Sequence, residues 1–267
     1  MFRQRYQLNA DPFSKALCAK DAYVTNDFKE CTSRLEYLAR NRGLALITAA
    51  PGYGKTFCMR AFAEKQNANL VKVVYMCMTT LSTMEFYRQL CVALGLESQY
   101  RKADMFRDIQ ANLDYLYVVK KVHCIIIIDE SQYLNAAILR DLKMLMNFDF
   151  DSRDRFSLVL SGQPVLADTL SRQIHEALRQ RITVNYEFTG ITETEATEYA
   201  KKMLALAEGS MTLFDEAAIH AAFNCSNGAI RVFGHILSRA LIIGAQNDAN
   251  TIGTDMVMAA ANEIEIR

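Results

Sequence analysis

The sequence lacks the features that mark several classes of protein. Its 30 Lys and Arg residues are balanced by 30 Asp and Glu residues, which argues against indiscriminate binding to polyanions but leaves room for a local basic surface. No apolar run reaches the roughly 18 residues of a transmembrane helix. Residues 1–5 also lack the apolar run of a signal peptide, so we expect a cytoplasmic protein without membrane contact.

The cysteine pattern excludes two further classes. Seven cysteines are present, an odd number, and no pair has Cys-x-x-Cys spacing, which argues against a disulfide framework or a zinc site. Cys58, Cys77, Cys91 and Cys124 all fall in apolar patterns, so we expect them to be buried thiols. The four histidines show no spacing typical of metal ligands, and we interpret each as structural.

The most informative segment that is present covers residues 48–56 and reads Thr-Ala-Ala-Pro-Gly-Tyr-Gly-Lys-Thr. It follows the apolar run 44–47 and precedes a helical pattern that starts at Phe57. A strand, a glycine-containing loop and a helix in this order hold the phosphates of a nucleotide, because the backbone N–H groups and the helix N-terminus form an anion nest. A chance Gly-Lys-Thr turn is the alternative, and Ala49 stands where glycine is usual.

Nucleotide chemistry assigns roles within this loop. We expect Lys55 to reach the β- and γ-phosphates of ATP, and Thr56 to bind Mg²⁺ through its hydroxyl. Gly52 and Gly54 let the backbone approach the phosphates closely. The predicted nucleotide-binding residues of this segment are Pro51, Gly52, Tyr53, Gly54, Lys55, Thr56 and Phe57.

A second motif is the run His-Cys-Ile-Ile-Ile-Ile-Asp-Glu at residues 123–130. The four isoleucines predict a buried parallel strand, and its acidic end lies where open α/β sheets bind ligands. We expect Asp129 to hold Mg²⁺, and Glu130 to orient and deprotonate the attacking water. The alternative is a core strand that simply ends at solvent.

Strand and helix patterns alternate along most of the chain. Strands are predicted at residues 44–48, 70–77, 122–129, 156–161 and 183–188. Helices are predicted at residues 55–66, 83–94, 104–119, 136–147, 165–172 and 174–180. This alternation predicts an α/β fold with a parallel sheet sandwiched by helices.

Only helical patterns follow residue 188, at residues 192–207, 215–223, 229–246 and 253–264. Thr192 and Glu195 form a capping-box pattern at the start of the first of these helices. We therefore predict two domains: an α/β nucleotide-binding domain with an N-terminal arm over residues 1–189, and a small all-helical lid over residues 190–267. This is the layout of the AAA+ P-loop NTPases.

Four motifs make the sequence similar to the ExeA-type AAA+ ATPases. They lie at residues 6–14, 48–56, 128–132 and 161–164. That group in turn resembles the transposon-encoded ATPases of the TniB, TnsC and IstB kinds. The resemblance covers nearly the whole chain and implies Mg²⁺-dependent ATP hydrolysis by a homo-oligomer, a ring or helical filament, whose subunits share ATP sites.

The resemblance also implies roles for single residues. Either Ser161 or Gln163 is the sensor-1 residue that holds the attacking water, unless the pair is an ordinary polar turn. Arg181, with Arg179 as second choice, is offered to the ATP of a neighbouring subunit, unless both belong to a solvated helix end. Arg231 resembles a sensor-2 arginine of the lid, with an exposed arginine at a helix start as the alternative.

The N-terminal arm has two interpretations. By resemblance, Pro12 and Phe13 lie near the adenine of ATP. The alternative is that both residues only pack the arm onto the core of the protein.

Two classes of function remain. The first is a regulator of transposition that oligomerises on double-stranded DNA without sequence preference and recruits or activates a DDE-type transposase. The second is a secretion-pathway ATPase, or another partner-remodelling AAA+ protein, that does not bind DNA. Secretion-type relatives carry a membrane segment and a wall-binding region, and origin-type initiators carry a winged helix. We expect none of these here, which favours the first class.

DNA binding would use the AAA+ domain itself. Because an oligomer repeats a modest basic surface along the duplex, each subunit need neutralise only a few phosphates. A solvated side chain is the alternative for each candidate, so the prediction applies to the group. The candidates are Lys72, Thr79, Thr80, Arg101, Lys102, Lys120 and Lys121.

Overall fold

The computed structural model describes residues 2–14, 23–77, 82–149 and 153–264. Contacts among residues divide the chain into two compact units, which we describe separately. The unit named here the helical unit comprises Met1–Lys29, Pro51–Gly54 and Thr189–Arg267. The unit named the sheet unit comprises Glu30–Ala50 and Lys55–Phe188. The predicted domain boundary at residues 189 and 190 stays a prediction.

The sheet unit is built on five parallel strands, as the alternating pattern predicts. In chain order they are β1 (Gly43–Thr48), β2 (Val71–Cys77), β3 (His123–Asp129), β4 (Phe156–Gly162) and β5 (Ile182–Glu187). Their order in the sheet is β2-β3-β4-β1-β5, and every neighbouring pair is parallel. Every residue of the three central strands is buried. Burial on both faces explains why these strands have continuous apolar sequences.

The prediction that Cys77 is buried is wrong, whereas Cys58, Cys91 and Cys124 are buried as predicted. Cys77 ends β2, which is an edge strand of the sheet. Successive side chains of a strand point to opposite faces, and in β2 the alternating Val74 and Met76 are buried. Tyr75 and Cys77 therefore lie on the exposed side.

Helices flank the sheet. After the short α1 (Phe2–Arg5), they are α2 (Asn26–Asn41), α3 (Lys55–Lys65), α4 (Thr83–Leu94), α5 (Lys102–Val118), α6 (Ala136–Leu145), α7 (Val165–Ser171) and α8 (Glu176–Arg179). Ser82 and Glu85 form a capping box at the start of α4. Gly95 ends α4 with φ 82°, because the left-handed conformation suits glycine. Helix α4 packs on β2, and α5 packs on β3.

The helical unit contains α1 and the helices that follow β5. The latter are α9 (Glu193–Leu206), α10 (Glu216–Ser226), α11 (Ile230–Gln246) and α12 (Thr254–Ile264). Thr192 and Glu195 form the predicted capping box before α9. Among the described residues, no helix combines the length and the apolar character that crossing a membrane requires.

The N-terminal arm packs within the helical unit. Tyr6, Leu8 and Phe13 are buried in its core. Asp27, near the start of α2, accepts hydrogen bonds from the backbone N–H groups of Thr189 (3.1 Å) and Gly190 (2.8 Å). These contacts fix the segment that leads into α9.

Candidate nucleotide site

The loop between β1 and α3 has the backbone that a phosphate-binding loop requires. Gly52 and Gly54 have φ of 86° and 100°, in the left-handed region that favours glycine. Ala49 is fully buried, and its N–H donates to the Gly162 carbonyl over 3.1 Å. Ala49 is not among the residues with positive φ, so alanine introduces no backbone strain at this position.

Lys55 begins α3 and is buried. Its ammonium lies 3.4 Å from the Ala49 carbonyl, and no carboxylate within the described part of the chain forms an ion pair with it. A buried cation without an anionic partner is costly. The environment of Lys55 therefore fits an anionic ligand such as a phosphate.

Asp129 ends β3 and is saturated with hydrogen bonds. One carboxylate oxygen accepts from the Thr56 hydroxyl (2.7 Å) and the Tyr75 hydroxyl (3.0 Å). The other accepts from the Ser161 hydroxyl (2.8 Å) and the Glu130 N–H (3.0 Å). Each oxygen of this buried carboxyl group therefore accepts two hydrogen bonds from the protein.

Tyr75 is a site residue that the sequence prediction missed. Burial, followed by the charge of Asp129, raises the pKa of Tyr75, so this side chain stays a protonated donor. One feature could have indicated this role: Tyr75 lies two residues before the carboxyl end of β2. Strand β2 pairs with β3, at whose end Asp129 lies. The sequence alone does not show which strands are neighbours.

Glu130 follows β3 in the left-handed conformation, with φ 55° and ψ 35°. A residue other than glycine seldom adopts this conformation, and strain of this kind clusters at functional sites. The Glu130 carboxylate accepts from the Gln132 side-chain amide over 2.6 Å. The Gln132 oxygen in turn accepts from the Gln163 N–H over 3.1 Å.

We name this chain of contacts from Glu130 through Gln132 to Gln163 the Gln132 bridge. It depends on the glycine between Ser161 and Gln163. A Cβ atom on Gly162 would lie 2.6 Å from the Gln132 side-chain oxygen. This distance is too short for a normal van der Waals contact. Gly162 therefore makes room for the bridge.

The sheet unit thus brings together Lys55, Thr56, Asp129, Glu130 and Ser161 at the carboxyl ends of three neighbouring strands. Within the described residues, no group of three His, Cys, Asp or Glu side chains could hold a metal ion. One hydroxyl and one carboxylate suit Mg²⁺, because phosphates and water complete its coordination.

The tip of the loop, Pro51–Gly54, belongs to the helical unit. The Gly52 carbonyl accepts from the Arg231 N–H in the first turn of α11 (3.2 Å). The Tyr53 hydroxyl donates to the Asn227 carbonyl (2.8 Å). The Arg231 side chain is exposed, and its sensor-2 role stays a prediction.

The two candidate trans-acting arginines differ in their surroundings. The Arg179 guanidinium donates to the Ser171 carbonyl over 2.9 Å, at the end of α7. Arg181 lies between α8 and β5 and is partly buried, which lowers the pKa of its guanidinium. The role of either arginine towards a neighbouring subunit stays a prediction.

Three further predicted nucleotide contacts lie in ordinary packing environments. Pro12 and Phe13 are buried in the helical unit, where the Phe13 ring lies 6.2 Å from the Tyr199 ring. Phe57 lies on α3 with the Arg60 guanidinium over its ring at 5.1 Å. The contacts of Pro12 and Phe13 match the packing interpretation of the arm. The roles of these two residues near adenine, and of Phe57 at the nucleotide, stay predictions.

The predicted DNA-contacting residues do not behave alike. The Lys72 ammonium donates to the Leu94 carbonyl at the end of α4 (2.9 Å). Lys102 forms an ion pair with Asp141 (2.5 Å). Both lysines therefore have structural partners within the sheet unit. The exposed candidates are Arg101, Lys120 and Lys121. Thr79 and Thr80 lie outside the described residues.

Comparison with known proteins identifies the central part of the chain. A family model described as an AAA domain matches residues 38–170. Residues 38–170 form an AAA domain. With its five-stranded parallel sheet and C-terminal helices, the chain has the AAA+ fold of the P-loop NTPases.

Two curated relatives are distant homologues of this AAA+ protein. General secretion pathway protein A of Aeromonas hydrophila is 26% identical over 99% of the chain, which spans 48% of that relative. ATP-dependent target DNA activator B of Escherichia phage Mu is 22% identical over 91% of the chain and 73% of the relative. The chain therefore spans about half the length of the first relative and most of the second.

Solved structures share the fold. Cdc6p from Pyrobaculum aerophilum superposes with a TM-score of 0.70 at 16% identity, over 96% of this chain and 72% of that chain. At this identity the likeness concerns the fold alone.

Proposed function

We propose that this AAA+ protein is a Mg²⁺-dependent ATPase that oligomerises on duplex DNA and regulates transposition by recruiting or activating a DDE-type transposase. The hydrolytic part rests on one observation. Glu130, held by Gln132, directly follows an Asp129 carboxylate that Thr56 joins to the phosphate-binding loop.

Each residue has a distinct part in the proposed hydrolysis. Lys55 and the loop backbone bind the β- and γ-phosphates of ATP, and Thr56 with Asp129 holds Mg²⁺. The bound ion neutralises charge that develops on the phosphates. Glu130 orients the attacking water and accepts its proton. Ser161 already donates to Asp129, so we assign the sensor-1 role to Gln163.

The transposition part rests on similarity to the target DNA activator of phage Mu. That similarity covers 91% of this chain and 73% of the relative. ATP bound between subunits favours the oligomer on DNA, Arg181 completes the neighbouring site, and Arg231 reports the state of the nucleotide from the helical unit. Hydrolysis then loosens the assembly.

A second candidate is a secretion-pathway ATPase that remodels a protein partner without binding DNA. The similarity to general secretion pathway protein A favours it, because that similarity covers 99% of the chain at 26% identity. The two functions differ in one measurable property. Only the first requires ATP-dependent binding to random-sequence duplex DNA, with an affinity that falls steeply as salt rises.

The Glu130→Gln variant tests the proposed function. We expect it to bind ATP like the wild type but to lose turnover by about 10²- to 10⁴-fold, because an amide cannot accept the proton from water. On duplex DNA with ATP, it should accumulate as long oligomers that do not dissociate. Turnover is measured by phosphate release, and oligomers are measured by sedimentation with DNA.

The matched control is Glu97→Gln, which changes an exposed glutamate of the same unit and should keep full turnover. Wild-type turnover in Glu130→Gln would remove Glu130 from the role of base. A wild-type protein that hydrolyses ATP but does not bind duplex DNA at low salt would instead favour the secretion-type function.

A further inference from the structure

The sheet unit contains a second polar cleft, which none of the ATPase residues lines. Its volume is about 480 Å³, and the described residues that line it are Arg42, Tyr117, Val118, Lys121, Arg153 and Arg155. Four of these six side chains are cationic and none is anionic. We name it the basic cleft.

The basic cleft lies at the amino ends of the central strands. Arg42 directly precedes β1, Arg155 directly precedes β4, and Lys121 comes two residues before β3. Because the strands are parallel, these positions lie together at the amino ends of the strands. The candidate nucleotide-binding residues lie at the carboxyl ends of the same strands, roughly 20 Å away along a strand of this length. The cleft is therefore not part of the ATP site.

Tyr117 and two arginines form the rigid part of the cleft. The guanidinium carbons of Arg42 and Arg155 lie 4.6 and 4.7 Å from the centre of the Tyr117 ring, within the range of a cation–π contact. Arg155 also pairs with Asp114 (3.2 Å) and Asp149 (2.5 Å). These two carboxylates more than balance the single charge of Arg155, which therefore supports the cleft rather than attracting a ligand.

The remaining cations are less fully compensated, although Arg42 interacts electrostatically with the nearby Asp154. In the part of the chain that the structure describes, no carboxylate forms an ion pair with Arg42, Lys121 or Arg153. The Nε atom of Arg42 is buried and has no hydrogen-bond partner among the described residues. A buried donor without a partner is costly. An anion that paired with the accessible part of the Arg42 guanidinium would offset this cost.

We propose that the basic cleft binds phosphate groups of duplex DNA. This inference rests on the DNA-binding part of the proposed function and assigns the contact to a surface of its own. Arginine suits phosphate because its planar donors match phosphate oxygens in pairs. The exposed Lys120 continues the basic surface beyond the cleft. A row of cations fits the repeating charge of a DNA backbone better than it fits one free anion.

The test uses Lys121→Gln with Arg153→Gln in the full chain. Both side chains are exposed, so the variant should fold and hydrolyse ATP like the wild type. Losing two phosphate contacts should lower the slope of log affinity against log salt by about 2, which corresponds to about 60-fold weaker binding near 0.1 M salt. Binding is measured by fluorescence anisotropy with a labelled random-sequence duplex.

The matched control is Arg88→Gln with Lys201→Gln, which removes the same charges from exposed positions outside the cleft. A small loss of DNA affinity in the control, together with a large loss in the cleft variant, supports the proposal. If the cleft variant binds DNA as tightly as the wild type, the cleft is not the DNA contact, although the protein still binds DNA elsewhere. Equal loss in both variants also overturns it, because only net charge then matters.

Two further outcomes are decisive. A wild-type protein that does not bind the duplex at low salt overturns both the cleft and the DNA-binding part of the proposed function. A cleft variant that keeps DNA binding but loses binding to polyglutamate shows that the ligand is an acidic peptide, which also overturns the proposal.

Discussion

At the scale of single residues, Gln132 joins two parts of the candidate site that lie on different strands. It donates to Glu130, which follows β3, and accepts from Gln163, which follows β4. Such a contact fixes the direction in which the Glu130 carboxylate points. Positioning of this kind affects the rate of the chemical step rather than the binding of nucleotide.

We therefore expect Gln132→Ala to lower kcat about 10-fold, which corresponds to about 1.4 kcal/mol in the activation barrier, and to leave the KM for ATP nearly unchanged. Steady-state phosphate release measures both constants.

Gln110→Ala is the control, because Gln110 also uses its side-chain amide within the sheet unit but contacts the Leu145 and Asn147 carbonyls. It should leave kcat within about two-fold of the wild type. A Gln132→Ala enzyme with normal kcat would show that Glu130 does not need the bridge.

At the scale of secondary-structure elements, His123 connects α2, β3 and β4. Its ring is buried, with one nitrogen 2.7 Å from the Ala39 carbonyl and the other 2.8 Å from the Ser157 hydroxyl. A neutral imidazole satisfies both contacts when it donates to the carbonyl and the Ser157 hydroxyl turns its single proton from the Leu38 carbonyl (3.3 Å) to the ring nitrogen. Burial lowers the pKa of His123 below its usual value of 6.5.

The lowered pKa predicts a loss of stability in acid. Below pH 6.5 the unfolded chain binds a proton at His123 that the folded chain does not, so the free energy of unfolding falls as pH falls towards the pKa of the folded state. His123→Gln should cost about 1 kcal/mol at neutral pH through the altered hydrogen bonds. It should also flatten the pH dependence in the acid range.

Denaturant unfolding at a series of pH values measures this effect. The control is Gln110→Ala, because the Gln110 side chain forms hydrogen bonds within the sheet unit but does not titrate. It should leave the pH dependence as in the wild type. An unchanged pH dependence in His123→Gln would mean that His123 does not carry the acid sensitivity.

The elements also show what the sequence can predict. The five strands and the helices from α3 onwards were predictable because apolar runs, helical periodicity and caps such as Thr192 are local sequence signals. Strand order is not local. For that reason the burial of Cys77 was predicted wrongly and Tyr75 was missed, since both depend on β2 being an edge strand next to β3.

The candidate site was predictable to a similar extent. The loop around Lys55 and the end of β3 at Asp129 have recognisable residue patterns. The Gln132 bridge requires knowing that β3 and β4 are neighbours and that Gly162 leaves space. The basic cleft likewise arises only when the residues before three separate strands meet at one edge.

At the scale of the whole molecule, the proposed oligomer predicts complementation between two inactive proteins. Arg181→Ala should lose about 10³-fold or more in turnover, because a trans-acting arginine stabilises charge on the phosphates of the neighbouring subunit. Lys55→Ala should lose nucleotide binding. Mixing the two should restore part of the activity, since intact sites then meet intact arginines. Phosphate release across mixing ratios measures the recovery.

Arg179→Ala serves as the control, because Arg179 donates to the Ser171 carbonyl within its own chain. It should keep turnover within a few-fold of the wild type. No recovery on mixing, with both proteins folded, would argue against a shared site. Recovery with Arg179→Ala instead would transfer the role to that residue.

The saturation of Asp129 has a consequence for the order in which ligands arrive. Its four hydrogen bonds come from the protein itself, and each is worth about 1 kcal/mol. A free divalent ion would have to displace such donors while gaining only one carboxylate and one hydroxyl. An ion that arrives already chelated by a triphosphate brings its own oxygens. We therefore expect Mg²⁺ to enter the proposed site together with ATP rather than before it.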